Sequence, residues 1–214
     1  MNRVNVNKLQ NVPIFSKIEQ SYLLNKIIPK AQIKQYHKNE NIYSHGDMAN
    51  MFYIVESGWL RILWHSVDGK EITTEIYSEG DSFNETGIFN EIEHTSSCQS
   101  LDDTSLIEIP VSLIKEAIED NHLLALNILS YMSDKIIKIS KRAEHFYAMS
   151  SAQRVGCFLL QFCNKKNNSF KLRLPFNKGI IAGYLGMNFE TFSRILTKLR
   201  DIGIVTEGNS ITSI

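Results

Sequence analysis

The sequence predicts an α+β protein: an N-terminal β-barrel of the jelly-roll type, a long dimerisation helix and a C-terminal winged helix-turn-helix. Three observations in the 214-residue chain lead to this fold class. Short apolar runs separated by glycine turns fill residues 31–109, and apolar residues then recur with a heptad period. Close to the C-terminus, two helical segments meet at a glycine turn.

The barrel is predicted from five apolar runs, which are Ile42-Tyr43, Met51–Val55, Trp59–Trp64, Ile72–Tyr77 and Leu106–Ile109. Glycine turns lie between them, and Asp68-Gly69 is a strong hairpin signal. Short strands at about ten-residue spacing are typical of all-β barrels and jelly rolls. Residues 13–30 are expected to form one or two short helices that pack on this barrel.

The long helix is predicted over about residues 112–149, where the hydrophobic period changes. From Ala125, steps of four and three residues place Leu129, Met132, Ile136, Ile139, Ala143 and Phe146 on one seam. A seam this regular favours pairing with a second copy of the chain, although a stripe that packs on its own domain is the alternative. A break at Met149-Ser150-Ser151 indicates a hinge. We therefore expect two domains, residues 1–149 and 150–214.

The C-terminal domain is predicted to begin with a helix over 152–163, followed by a strand over 170–174. A short helix at 180–187 ends in a glycine turn, and a second helix runs over 188–200, with Asn188 as N-cap and Gly203 as the glycine that stops it. Residues 204–211 then form a β-hairpin wing with its turn at Gly208-Asn209. Two helices joined by a tight turn are the helix-turn-helix, whose second helix enters the DNA major groove.

The second of these helices carries side chains that can read bases. Glu190, Ser193 and Arg194 share one face. An arginine can donate twice to guanine O6 and N7, a carboxylate can accept from cytosine N4, and Ser193 can approach a thymine. Four further residues are better placed to anchor the phosphate backbone: Thr191, Lys178, Lys198 and Arg200.

Net charge divides the chain in the same way. Residues 1–149 hold 14 Lys+Arg against 20 Asp+Glu, a balance of −6, whereas residues 150–214 hold 9 against 3, a balance of +6. This split indicates that only the C-terminal part meets a polyanion. No apolar run is long enough for a membrane span and no secretory leader is evident, so a cytoplasmic protein without a membrane partner is expected. The cysteines, Cys98, Cys157 and Cys163, have no metal-ligand spacing, and no metal site is assigned.

In this order of domains the chain resembles the CRP/FNR family of bacterial transcription regulators. In the barrel the resemblance rests on Gly46, Gly58, Gly69 and the run Gly80-Asp81-Ser82-Phe83. In the C-terminal part it rests on Leu185-Gly186-Met187 and Glu190-Thr191-Phe192-Ser193-Arg194. The resemblance implies a homodimer that binds a palindromic promoter site in double-stranded DNA and acts on RNA polymerase. The Glu-Ser-Arg set is similar to that of FNR-type members and implies half-sites of the form TTGAT and ATCAA.

The effector is less well defined by the resemblance. Members that bind cyclic AMP carry a Gly-Glu pair, an Arg-Ser pair for the phosphate, and a Thr-Ser pair on the dimer helix. The matching pairs here are Asn84-Glu85, Thr95-Ser96 and Ile139-Ser140. Because the arginine that would neutralise the phosphate is Thr95, cyclic AMP is not expected. We predict an effector site between barrel and helix, formed by Asn84, Glu85, Thr95, Ser96, Met132, Ile136, Ile139 and Ser140.

Among cofactors, an iron–sulfur cluster is not expected because no cysteine precedes Cys98. Haem stays open, since gas-sensing relatives of the FNR type bind it in this barrel. Spacing selects none of the possible haem ligands, which are His37, His45, His65, His94, His122, Met48, Met51 and Met132. The effector is therefore either haem with a bound gas or a small metabolite.

Two other classes of function are compatible with a small β-barrel. An enzyme of the cupin kind would need a His-x-His pair in the barrel, and the sequence contains none. A cyclic-nucleotide sensor that regulates a partner protein rather than DNA would share the barrel but would not require a base-reading helix. The sequence favours a DNA-binding regulator, which is not an enzyme.

Overall fold

The computed structural model describes residues 4–66, 71–90, 92–160, 171–173, 177–207 and 210–213. The hairpin turn predicted at Asp68-Gly69, Cys163 and the wing turn at Gly208-Asn209 lie outside these residues. The chain divides into two compact units, Met1–Ile137 and Lys138–Ile214. No helix among the described residues is long and apolar enough to cross a membrane.

Two four-stranded antiparallel sheets build the first unit, with strand orders β1-β8-β3-β6 and β2-β7-β4-β5. The strands are β1 (Gln32–Tyr36), β2 (Asn41–Tyr43), β3 (Met51–Ser57), β4 (Trp59–His65), β5 (Glu71–Ser78), β6 (Ser82–Phe83), β7 (Ser97–Ser100) and β8 (Thr104–Pro110). This jelly-roll arrangement confirms the predicted barrel. All five predicted strands are present, whereas β1, β6 and β7 were not predicted.

The three additional strands lack a strong apolar pattern. In β1 only Tyr36 is buried, β6 has two residues, and β7 reads Ser-Cys-Gln-Ser. Their partners supply the hydrophobic surface: β8, which pairs with both β1 and β3, is buried along most of its length. Tertiary pairing therefore forms these strands, because their own sequence gives little strand propensity.

Strand β3 separates two apolar clusters. Phe52 and Ile54 point into a cluster shared with the helices, and Tyr53 and Val55 point into the barrel interior. Burial on both faces explains why this strand reads as a continuous apolar run. The turn after it requires glycine, because Gly58 has a φ of +92° and an added Cβ would lie 2.8 Å from Thr104 Cα.

Short helices cover one side of the barrel, as expected for residues 13–30. Helix α1 (Val6–Gln10) is followed by a 3₁₀ turn at Pro13–Phe15 and by α2 (Gln20–Tyr22), which continues as a π turn and a 3₁₀ turn to Lys30. Their buried side chains pack in the same cluster as those of α4 (Val111–Asp120). A single further turn, α3 (Thr86–Phe89), follows β6.

The stretch predicted as one helix over 112–149 is two helices. Helix α4 ends at Asp120, and α5 runs from His122 to Ala148. Asn121 between them is extended, with φ −140° and ψ 95°, and its side chain accepts a hydrogen bond from the Leu124 backbone N–H at 3.3 Å. Asparagine at this position caps the new helix, which is why the helix restarts there. Helix α5 has 27 residues and is about 40 Å long.

The second unit contains the predicted winged helix-turn-helix. Its elements after α5 are α6 (Ser151–Leu160), β9 (Lys171–Arg173), α7 (Lys178–Tyr184), α8 (Phe189–Leu199), a 3₁₀ turn at Arg200–Ile202, β10 (Ile204–Glu207) and β11 (Ser210–Ser213). The strands form one antiparallel sheet in the order β10-β11-β9. Gly203 has a φ of +86° and ends the helical segment, as predicted.

This unit begins within α5, twelve residues before the predicted boundary at 149/150. The reason is that the end of α5 packs against the helix-turn-helix. The Arg142 side chain donates a hydrogen bond to the Tyr184 carbonyl, and the Phe146 ring lies against Gly186.

Candidate functional site

The turn between α7 and α8 has fixed geometry. The Met187 N–H bonds to the Ala182 carbonyl at 2.9 Å, and the Gly186 N–H bonds to the Gly183 carbonyl at 3.0 Å. With Gly186 at a φ of +65°, this is a Schellman motif, in which glycine ends a helix at low steric cost. Asn188 then caps α8 by accepting from the Thr191 N–H at 2.8 Å. The sequence positions α8 through these two caps.

Helix α8 has one buried face and one exposed face. Phe192, Ile195 and Leu196 are buried in the domain, whereas Glu190, Ser193 and Arg194 are exposed. Within the described part of the chain, no ion pair engages Glu190 or Arg194. Both charged groups are therefore available to a ligand from outside, which is what base reading requires.

The four predicted phosphate anchors differ in exposure. Lys198 and Arg200 are exposed, while Thr191 is half-buried and its backbone N–H is already used by the Asn188 cap. Lys178 is half-buried at the start of α7, and its pKa is lowered by burial and, to a smaller extent, by the nearby Arg200 charge. Two positive charges close together suit a binding site for phosphate.

In the first unit, a buried ion pair joins the barrel to helix α5. Lys135 Nζ lies 2.7 Å from a carboxylate oxygen of Glu85, and the Glu85 side chain is buried. The same ammonium lies 5.5 Å from the centroid of the Tyr77 ring and 5.4 Å from that of Tyr131. Burial raises the pKa of Glu85, and the Lys135 charge opposes that rise. This group, Glu85, Lys135, Tyr77 and Tyr131 together with Ser82, is called the Glu85 cluster below.

Two polar atoms of the Glu85 cluster have no hydrogen-bond partner among the described residues. The Glu85 Oε1 atom and the Ser82 hydroxyl are buried without a hydrogen-bond partner among the described residues. Tyr131 donates to the Ser82 carbonyl at 3.0 Å, so it does not engage the Ser82 hydroxyl, and Tyr77 donates to Glu75. Because buried polar atoms are nearly always hydrogen-bonded, these two atoms have unused hydrogen-bonding capacity among the described residues.

The eight residues predicted for the effector site are only partly brought together. Glu85 lies in the cluster, and Asn84 precedes it with a left-handed φ of +71° and a side chain that donates to the Met51 carbonyl at 2.6 Å. Thr95 is exposed and Ser96 is half-buried. Met132 packs on the hydrophobic core. Ile136, Ile139 and Ser140 are exposed on α5, the last two in the second unit.

Sequence reasoning missed Lys135, Tyr77 and Tyr131. A signal existed for two of them, because Tyr131 and Lys135 are four residues apart and share a helix face. The heptad analysis of α5 considered only the apolar residues of the seam, so it did not single out this polar pair. The partner Tyr77 carries no local signal and is found only from the fold.

The predicted dimer seam is exposed in its central part. Leu129, Ile136 and Ile139 are each more than 60% exposed, Ala143 is exposed and Met132 is half-buried. Phe146 differs, since its ring packs on Gly186 and lies near the guanidinium groups of Arg142 and Arg154. The side chain is still 40% exposed, so its place in the predicted dimer seam stays a prediction.

The possible haem ligands do not converge. Only His94 is buried, and its ring stacks on Tyr43. Burial lowers the pKa of His94, against a smaller opposing effect of Asp47. His37, His45, His65, His122 and Met48 are exposed, while Met51 and Met132 are half-buried. Among the described residues no group of three or more His, Cys, Asp and Glu side chains could hold a metal ion. The candidate ligands thus lie at separate, mostly exposed or half-buried positions of the first unit.

Replacing Lys135 with methionine is expected to lower the free energy of unfolding by about 1–2 kcal/mol. The substitution leaves the buried Glu85 carboxylate without its partner, and the Lys135 ammonium is exposed enough to keep the loss below that for a fully buried pair. Urea unfolding measures the change. The double variant Lys135→Met with Glu85→Gln should recover part of it, and the exposed neighbour Lys138→Met should have little effect. Equal losses for Lys135→Met and Lys138→Met would contradict the role of the ion pair.

Comparison with known proteins identifies the two parts of the chain. A cyclic nucleotide-binding domain matches residues 33–121, and a Crp-like helix-turn-helix domain matches residues 153–214. The chain is 27% identical over 184 residues to the anaerobic regulatory protein of Pasteurella multocida, a match that covers 84% of this chain and 67% of that protein. It is 25% identical over 173 residues to the nitrogen fixation regulation protein FixK of Rhizobium meliloti, covering 81% and 77%.

Among solved structures, that of FixK2 from Bradyrhizobium japonicum is similar in fold. It has a TM-score of 0.75 and 23% identity and covers 86% of this chain and 92% of that chain. Together, the sensor-type barrel and the Crp-like DNA-binding domain define a transcription regulator. The chain belongs to the CRP/FNR family.

Proposed function

We propose that this protein is a homodimeric, sequence-specific regulator that binds a palindrome of the form TTGAT-N4-ATCAA and controls promoter activity through RNA polymerase. The observation that carries this proposal is the exposed set Glu190, Ser193 and Arg194 on a helix whose other face is buried. Arg194 would donate to a guanine, Glu190 would accept from a cytosine, and Ser193 would approach a thymine. The matching residues of FNR-type members give the half-site.

The exposed seam of α5 supports dimerisation. Leu129, Ile136 and Ile139 form an apolar stripe at heptad spacing with no cover from the described residues of the same chain. A second copy placed along this helix would bury the stripe and give the twofold symmetry that a palindrome needs. The two copies of α8 would then read two half-sites about one DNA turn apart.

For the effector, we propose a small metabolite with a polar group that binds at the Glu85 cluster. The support is the pair of unpartnered buried atoms, Glu85 Oε1 and the Ser82 hydroxyl, beside an ion pair that joins the barrel to α5. A ligand that binds one arrangement of Lys135 better than another would shift the conformational equilibrium of α5. A Soret band that responds to nitric oxide, from protein offered haem without oxygen, would contradict this assignment.

Binding to DNA tests the proposal as a whole. Fluorescence anisotropy with a TTGAT-N4-ATCAA duplex should give an affinity at least about a thousandfold above that for a scrambled duplex of the same composition, as is usual for specific sites at physiological salt. The same duplex with the four-base spacer lengthened by five bases is the control, because half a turn places the half-sites on opposite faces of the helix. Equal affinity for all three duplexes would contradict sequence-specific reading by a dimer.

A further inference from the structure

Three backbone carbonyls at and just after the end of α7 accept no hydrogen bond from the Schellman motif. That motif uses the carbonyls of Ala182 and Gly183, so those of Tyr184, Leu185 and Gly186 have no partner in the helix or the turn. Buried helix ends need such partners from elsewhere in the structure. Here two arginines that precede the helix-turn-helix in sequence supply them.

Arg142, near the end of α5, bonds to the first of these carbonyls. Its Nη2 atom lies 3.1 Å from the Tyr184 carbonyl oxygen, and its guanidinium carbon lies 4.1 Å from the centroid of the Tyr184 ring. One side chain therefore makes both a charge-assisted hydrogen bond and a cation–π contact with the same residue. Lysine cannot reproduce this combination, because its ammonium is not planar.

Arg154, on α6, bonds to the other two. Its Nε atom lies 3.0 Å from the Leu185 carbonyl oxygen and its Nη2 atom 3.4 Å from that of Gly186. Its Nη1 atom also donates to the Met149 carbonyl at 3.1 Å, in the segment that joins α5 to α6. A single guanidinium thus ties the break after α5 to the turn of the helix-turn-helix.

The Phe146 ring fills the space beside both arginines. Its centroid lies 5.9 Å from the guanidinium carbon of Arg142 and 5.2 Å from that of Arg154. The edge of the ring lies so close to Gly186 that a Cβ there would overlap it. Glycine is therefore needed at this position both for its left-handed φ and for the approach of the ring.

We propose that Arg142, Arg154 and Phe146 form a clamp on the helix-turn-helix turn, and that the last part of α5, residues 138–148, moves with the DNA-binding domain as one body. Arg142 and Arg154 are then positioning residues for α8, not phosphate contacts, although both are cations in the basic part of the chain. Both residues are half-buried, and their guanidinium groups bond to backbone carbonyls and lie beside aromatic rings. The inference rests on the proposed role of α8 in DNA reading.

The clamp is tested first by salt dependence. Arg142→Met and Arg142→Lys are both expected to lower affinity for the TTGAT-N4-ATCAA duplex about tenfold, with the slope of log affinity against log salt unchanged. If Arg142 were a phosphate contact, Arg142→Lys would keep the affinity, and Arg142→Met would reduce the magnitude of the slope by about one. Lys141→Met, an exposed neighbour on α5, is the matched control and should behave as the wild type.

Hydrogen exchange provides a readout that does not depend on DNA. Arg142→Met should speed exchange of the amides of Gly186, Met187 and Thr191 on the order of tenfold, while amides of the barrel strands keep their wild-type rates. Unchanged exchange at the turn would overturn the clamp. If the wild type failed to prefer the palindrome but Arg142→Met still loosened the turn, the proposed function would fail and the clamp would stand.

A double-mutant cycle isolates the contact between ring and glycine. Gly186→Ala should lower DNA affinity at least about tenfold, through the overlap with Phe146 and the left-handed φ. Phe146→Ala removes the overlap, so the double variant should bind more tightly than the product of the two single losses predicts. Simple additivity in the cycle, with both single variants still dimeric by sedimentation, would overturn the assignment of Phe146 to the clamp.

Discussion

Replacing Arg194 with alanine is expected to cost about 1–3 kcal/mol of binding free energy at the TTGAT-N4-ATCAA duplex, equal to roughly 5- to 150-fold in affinity. The loss should be concentrated at one base pair of each half-site. A guanidinium that donates twice to guanine O6 and N7 discriminates that base from the other three. Alanine makes neither hydrogen bond, so the variant should no longer discriminate at this position. Competition between duplexes that differ at single positions measures the effect.

The control for Arg194 is a neighbour on the same exposed helix. Lys198→Ala removes a positive charge from α8 one turn further on, where we place a phosphate contact. That variant should weaken binding to all duplexes alike and reduce the salt slope by about one. If Arg194→Ala gave this uniform behaviour instead, Arg194 would be an anchor and the assignment of base reading would be wrong.

The recognition helix was predictable from the sequence because its determinants are local. The Asn188 cap, the Gly186 turn and the alternation of buried Phe192 and exposed Arg194 all lie within a few residues of one another. Each is a short-range preference of the backbone or of one helix face, and all agree with the fold that forms. The structure therefore confirms this element within a residue or two.

The parts that could not be predicted depend on partners distant in sequence. Strand β1 exists because β8 pairs with it, and Lys135 forms its ion pair because Glu85, fifty residues earlier, is buried beside it. Phe146 illustrates the same limitation, because its heptad position says nothing of the contact that its ring makes with Gly186. A periodic pattern indicates which side of a helix is apolar and does not say what covers it.

Ile136→Glu is expected to dissociate the homodimer and to lower affinity for the palindrome on the order of a hundredfold or more. Ile136 is 66% exposed in one copy and lies on the seam that we propose is covered by the other. A carboxylate at this position would enter the apolar interface twice, once from each copy, without a partner for either charge. A monomer holds one recognition helix, so the gain from binding two half-sites together is lost.

The matched control lies at the next residue. Ile137→Glu introduces the same charge on the same helix at a side chain that is 49% exposed, about 100° around the helix from the seam. Analytical ultracentrifugation should show a monomer for Ile136→Glu and a dimer for Ile137→Glu at the same concentration. A stable dimer of the Ile136→Glu variant, or equal dissociation of both variants, would contradict the proposal. Either result would mean that the heptad stripe of α5 is not the dimer interface. A dimer that reads a palindrome would then have to form through another surface.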